Sequence, residues 1–251
     1  MSLRKIFLLI MLLPFILFAN EGPMTSFNKA NQLYQKNNYN QALKIYLNLE
    51  KQQYENVALY YNIGNCYYKL EDFGRAVLYY EKALHISPKD KDVLKNLKLA
   101  KAHLQDKEIA GGSNPFALFF NWILNFLSVN AYIVLSLILF ACVGGFGLSF
   151  LLFESLRKQW VKQIFIVSLV LFLIIGTLTS VKIYKTEYQH YGIVTASVTS
   201  IMSGPGDNFS LLFTLHSGSK LQIIKKQKDW SFVSMKNGYA GWLKTKDFEN
   251  I

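Results

Sequence analysis

The sequence predicts a multi-domain membrane protein with an exported all-α repeat domain, two transmembrane helices and a small all-β barrel. Three observations predict it: long uncharged apolar stretches in mid-chain, a 34-residue displacement relating positions in the first half, and a change from helical to alternating apolar period after Tyr191. With 51% hydrophobic and 17% charged residues, the chain is too apolar for one soluble domain and too charged for a pure membrane protein.

The formal net charge of +11 is spread along the chain, as +2 over 1–19, +3 over 20–108, +2 between the apolar spans and +4 after Val181. Nucleic-acid binding by counterion release needs cations converging on one face, so no nucleic-acid partner is expected. Arg4 and Lys5, the apolar run Ile6 to Phe18, and Ala19 before Asn20 and Glu21 form a signal peptide pattern over 1–19. Cys66 and Cys142 lack metal-site spacing and read as small apolar fillers, so neither a metal nor a cofactor is expected.

Residues 20–108 carry the repeat. Ala30, Ala42 and Tyr46 recur as Gly64, Ala76 and Tyr80, and a fixed displacement of 34 is the tetratricopeptide period. Repeats are expected over about 23–56 and 57–90, with Pro88 ending the last helix and an amphipathic capping helix over 92–105. Gly64 and Ala76 are small where the helices cross, and Tyr67 and Tyr80 fill the space between repeats. Because about three units are needed for stability, such a domain should lean on a partner or the membrane. The first helices line a groove, and its peptide-binding candidates are Asn31, Tyr34, Gln35, Tyr61, Asn65, Tyr68 and Lys69. The Asn side chains are placed to clamp a peptide backbone.

A linker and an interfacial helix (Phe116 to Phe126, with Trp122) occupy 109–130. Spans are expected over 131–153 and 164–181, joined by a loop, 154–163, with Arg157, Lys158 and Lys162 against Glu154. The positive-inside rule puts this loop in the cytoplasm and both flanking domains outside. Polar and ionisable groups inside a membrane mark an ion or substrate path, and the spans are read as containing none, so transport is disfavoured. Ala141, Gly145 and Ser149, four apart, would let another helix approach.

Over 191–251, Leu221 to Lys225, Ser231 to Met235 and Tyr239 to Leu243 read as strands, with Asn237 and Gly238 as a two-residue primed hairpin turn. Tight turns also at Gly204 to Gly206 and Gly218 suggest a small, strongly bent barrel. The residues Ser203 to Gly206, Leu215, Gly218, Trp230, Val233, Asn237, Gly238, Gly241 and Trp242 resemble the bacterial SH3-like domain. That resemblance implies binding of peptidoglycan stems or partner peptides, with Trp230, Tyr239 and Trp242 as ligand candidates; aromatics in so small a barrel are more often core.

The whole arrangement, with the run Phe213, Thr214, Leu215, His216, Ser217, Gly218, is similar to the BatE family of the Bacteroides aerotolerance (Bat) operon. The resemblance implies a periplasm-facing scaffold in the bacterial inner membrane, partnered by Bat membrane proteins with von Willebrand A domains, and a role in oxidative or envelope stress tolerance. The alternative is a cell-wall sensor that binds peptidoglycan through the barrel. No enzyme is expected and no catalytic residue is assigned. His216 lacks a Cys, Ser or carboxylate partner at motif spacing, and the chain has no P-loop, metalloprotease helix motif or nucleophile elbow.

Overall fold

The computed structural model describes residues 22–106, 115–153, 158–187 and 189–251. The signal peptide expected over 1–19, the start of the linker (109–114) and the head of the basic loop (154–157) lie outside the described residues.

Five helices form the first body: α1 (Pro23–Gln35), α2 (Tyr39–Lys51), α3 (Val57–Lys69), α4 (Phe73–Ile86) and α5 (Lys91–Ala102). The starts of α1, α3 and α5 at 23, 57 and 91 keep a constant step of 34. The expected capping helix is therefore the first helix of a third unit, in register, and Asp90 starts it by accepting hydrogen bonds from the amides of Asp92 and Val93. The turns repeat too. Asn37 (φ 62°) and Glu71 (φ 64°) adopt the left-handed conformation that ends α1 and α3, and the following amides return to the carbonyls of Leu33 and Tyr67.

Packing inside the body is steric. A Cβ on Gly64 would lie 2.7 Å from the Tyr80 ring, and Tyr80 is 1% exposed. Cys66 is fully buried beside Ile63 and Leu59, and burial pushes its thiol up to about 12, which leaves it a protonated apolar filler.

α7 (Val129–Leu152) and α8 (Gln159–Glu187) pack side by side, and both are long and apolar enough to cross a membrane. One expectation needs correcting. The spans do hold a polar contact, because Ser136 Oγ and Thr179 Oγ1 meet at 2.9 Å between the helices. α7 meets α8 at Gly147, where a Cβ would lie 3.5 Å from Phe165, whereas a Cβ on Gly145 would meet nothing within 4 Å. Ahead of the spans, α6 (Pro115–Phe126) exposes Phe116, Phe119, Trp122 and Phe126. The Lys182 ammonium on α8 donates to the carbonyls of Leu124 and Leu127 at its C-terminal end, and Tyr132 Oη donates to that of Ile123.

The C-terminal module is one antiparallel sheet of seven strands: β1 (His190–Val194), β2 (Val198–Met202), β3 (Leu211–His216), β4 (Lys220–Gln227), β5 (Trp230–Ser234), β6 (Ala240–Lys244) and β7 (Phe248–Asn250). Their order is β3-β2-β6-β5-β4-β1-β7. The sheet stays open with β3 and β7 as edges, so the expected barrel is not a closed ring of hydrogen bonds. Val194, Ile201, Leu215, Leu221, Val233 and Leu243 form its core.

The β5–β6 hairpin also differs from expectation. Met235 N–H donates to Tyr239 O, Gly238 N–H donates to Met235 O, and only Gly238 (φ 89°) of the Asn-Gly pair is left-handed. The loop is therefore three residues long, Lys236 to Gly238, with the glycine closing a bulge, because a primed two-residue turn would need positive φ at Asn237 as well.

Gly64→Val should destabilise the chain by about 1–3 kcal/mol through overpacking against Tyr80. The measurement is the denaturant midpoint of the detergent-solubilised protein; an unchanged midpoint would remove the close-crossing argument.

Candidate functional site

The first helices bring Asn31 and Asn65 to equivalent positions, but their side chains are already engaged. Asn31 Oδ1 accepts from Tyr46 Oη at 2.5 Å and from Asn62 Nδ2 at 3.0 Å. Thirty-four residues on, Asn65 Oδ1 accepts from Tyr80 Oη at 2.7 Å and from Asn96 Nδ2 at 2.9 Å. Each oxygen ties its own repeat's second helix to the next repeat's first helix, so the expected peptide clamp would fall to the amide nitrogens of the two Asn side chains. The signal was present in the sequence, since Asn28, Asn62 and Asn96 keep the 34-residue spacing.

The other groove candidates separate into packed and free. Tyr34 stands edge-on to Tyr39 with ring centroids 5.1 Å apart, and burial pushes its phenol up to about 12. Tyr61 Oη accepts from Asn96 Nδ2 at 3.0 Å. Tyr68 packs edge-on against Phe73, and its hydroxyl lies 3.4 Å from His103 Nε2. Gln35 and Lys69 are exposed.

The three aromatic candidates of the sheet do not form one platform. Residues 231, 233, 241 and 243 point inward, so Trp230, Phe232 and Trp242 stand half-buried on the outer face, outside the core expected for them. Phe232 and Trp242 pair across the strands with centroids 5.4 Å apart, and the Lys244 ammonium lies 5.6 Å from the Trp230 ring centroid. Tyr239 lies elsewhere, 61% exposed, its ring 5.7 Å from that of Phe213.

The most elaborate polar constellation joins the two bodies. Glu81 on α4, 8% exposed, receives the Lys220 ammonium of β4 at 2.7 Å and that of Lys101 on α5 at 3.0 Å. Burial alone would raise its carboxyl; the two cations outweigh burial and hold it below the usual carboxylate range. Asp106, just after α5, accepts from the His216 backbone amide at 2.6 Å, from Ser219 Oγ at 2.7 Å, and lies 2.8 Å from His216 Nδ1. Desolvation opposes ionisation here too, and these donors overcome it, holding Asp106 low. His216 thus gains the carboxylate partner that motif spacing did not offer. Ser219 bonds that carboxylate rather than the imidazole, so the set clamps the two bodies together.

Apolar contact completes the joint. Ile193 of β1 belongs to the repeat core, and Leu104 and Ile251 pack against it. A Cβ on Gly218 (φ 93°) would come 2.4 Å from Leu104 Cδ2, and one on Gly74 would come within 1.8 Å of Ser217 Oγ. The run Phe213 to Gly218 therefore lies along this interface. Beside it is a cleft of about 1320 Å³, lined by Lys101, Leu212, Phe213, Thr214, Lys220 and Tyr239 among others.

Both joint carboxylates have folded values below their unfolded ones, so their stabilisation is present above the ordinary carboxylate range and is lost as pH falls through the folded values. Hydrogen-exchange protection factors of α4 and β1 should stay level above about pH 5 and fall below about pH 4, and Glu81→Gln should shrink the drop. Protection that persists unchanged into strong acid would contradict the ionic clamp.

Among known families, the tetratricopeptide repeat matches residues 57–90, the α3–α4 pair. No curated relative matches the chain. The repeat suggests a role in protein–protein interaction.

Proposed function

We propose that the chain is a non-enzymatic scaffold of a bacterial inner-membrane complex, holding its repeat body and its SH3-like module together in the periplasm. The observation that carries this reading is the joint. The two modules flank a pair of apolar helices, and the contacts of Glu81 with Lys220 and of Asp106 with His216 require both on the same side of any membrane those helices cross. Lys158 and Lys162 at the opposite turn favour that turn in the cytoplasm. The exposed aromatics of α6 favour a helix lying at the headgroup level. The resemblance to the BatE family supplies the expected partners, Bat proteins with von Willebrand A domains, and the setting of oxidative or envelope stress.

The outer-face strip of Trp230, Phe232 and Trp242 favours a second reading, in which the sheet binds peptidoglycan by stacking. It is separable from the first, because it needs no other protein.

Photo-crosslinkers placed at Gln35 and Lys69 in cells should capture the same membrane proteins, and cysteines introduced at exposed sites of both modules should react with an impermeant reagent from the periplasmic side. A chain that crosslinks to nothing, or modules labelled from opposite sides, would overturn the scaffold. For the second reading, the protein should be retained on purified sacculi and Trp242→Ala should lower retention at least fivefold; no retention removes it.

A further inference from the structure

Strand β3 ends the sheet on one side, and its sequence Leu211 to Leu215 carries no charge. Exposed edge strands are ordinarily blunted by Lys, Pro or a cover, because their free N–H and C=O groups pair with whatever extended chain they meet. Here one group is blunted specifically. Ser217 N–H donates to Ser197 O across the ladder, so the alternation of an antiparallel pair turns the amides of His216 and Thr214 away from β2. Asp106 takes the His216 amide. Thr214 follows one step along, exposed, and opens into the interdomain cleft, where Leu212 is also exposed and Phe213 and Tyr239 make an aromatic pair.

We propose that this cleft binds an extended peptide of a partner protein by adding it as an eighth strand to the edge of β3. The inference rests on the scaffold reading and names one of its sites. The cleft of about 1320 Å³ exceeds the ~300–1000 Å³ of small-molecule pockets. Its walls are the repeat body, through Pro88 and Lys101, and the turn from Met235 to Tyr239, so an extended chain enters where a folded copy's own edge strand does not. Its chemistry sets the peptide's. Side chains on one face of the added strand meet Phe213 and Tyr239 and are apolar, while those on the other face lie along Leu212 and Thr214. Lys101, Lys220 and Lys236 outnumber Glu81 and Asp106, and Asp106 is occupied by His216 and Ser219, which leaves exposed Lys236 to face an acidic residue.

The test uses the full chain in neutral phosphatidylcholine nanodiscs and a fluorescein-labelled octapeptide that alternates valine and threonine with one glutamate. Anisotropy should report saturable binding. Methylating the peptide's backbone nitrogens at alternate residues should weaken it at least tenfold, Thr214→Pro equally, and Lys236→Glu severalfold. Proline at 214 leaves the β2 ladder intact because its nitrogen faces outward, and the methylated peptide tests the same pairing with no change to the protein. No saturation by about 1 mM peptide, binding indifferent to methylation, or displacement by phosphatidylglycerol vesicles each overturns the proposal, the last by assigning the cleft to lipid. If the peptide fails to bind the unaltered chain while the crosslinks at Gln35 and Lys69 persist in cells, this inference falls and the scaffold reading stands.

Discussion

Among the described residues the stack of repeat-like helices ends at α5, and the apolar sides of α4 and α5 must be buried by something. In this chain the cover is the sheet. Ile193 of β1 enters the repeat core, Leu104 and Ile251 close around it, and the carboxylate of Glu81, nearly withdrawn from water, is matched by one ammonium from each body. A buried carboxylate without those partners would be strongly unfavourable, so the ionic contact selects one docked arrangement even where its net contribution to stability is small. Placement of the cleft and of the β3 edge beside the helix stack follows from that docking.

The parts of the fold that sequence made legible are those governed by local periodicity. A step of 34 residues located the helix pairs, uncharged length located the two long apolar helices, and alternation located β4, β5 and β6. Where reading failed, the cause was either parity or distance. Inward-pointing Ser231, Val233, Gly241 and Leu243 fix Trp230 and Trp242 on the outside, and that parity was available from the alternation. Asn31 and Asn65 have the right polarity for a groove, but their partners Asn62 and Asn96 lie one repeat further on. The joint left no trace in local pattern: Asp106 and His216 are 110 residues apart, and Glu81 and Lys220 are 139 apart.

The packing of α6 on α8 shows the same economy of contacts. Lys182 and Lys185 reach back from α8 to α6, one to the carbonyls of Leu124 and Leu127 and the other to Asn121 Oδ1 at 3.0 Å. The aromatic side of α6 is left outward while its C-terminal end is fixed. Asn125, at that same end, reaches the wall of the interdomain cleft, so α6 touches both the apolar helices and the joined bodies.

Both halves of the joint belong to one chain, which runs from α5 through the two apolar helices and returns to dock on α4. That return path makes docking an intramolecular event, at an effective concentration set by the connecting chain rather than by the protein's abundance. An interface that would be too weak to hold two separate proteins is then sufficient, and if it opens its halves cannot diffuse apart.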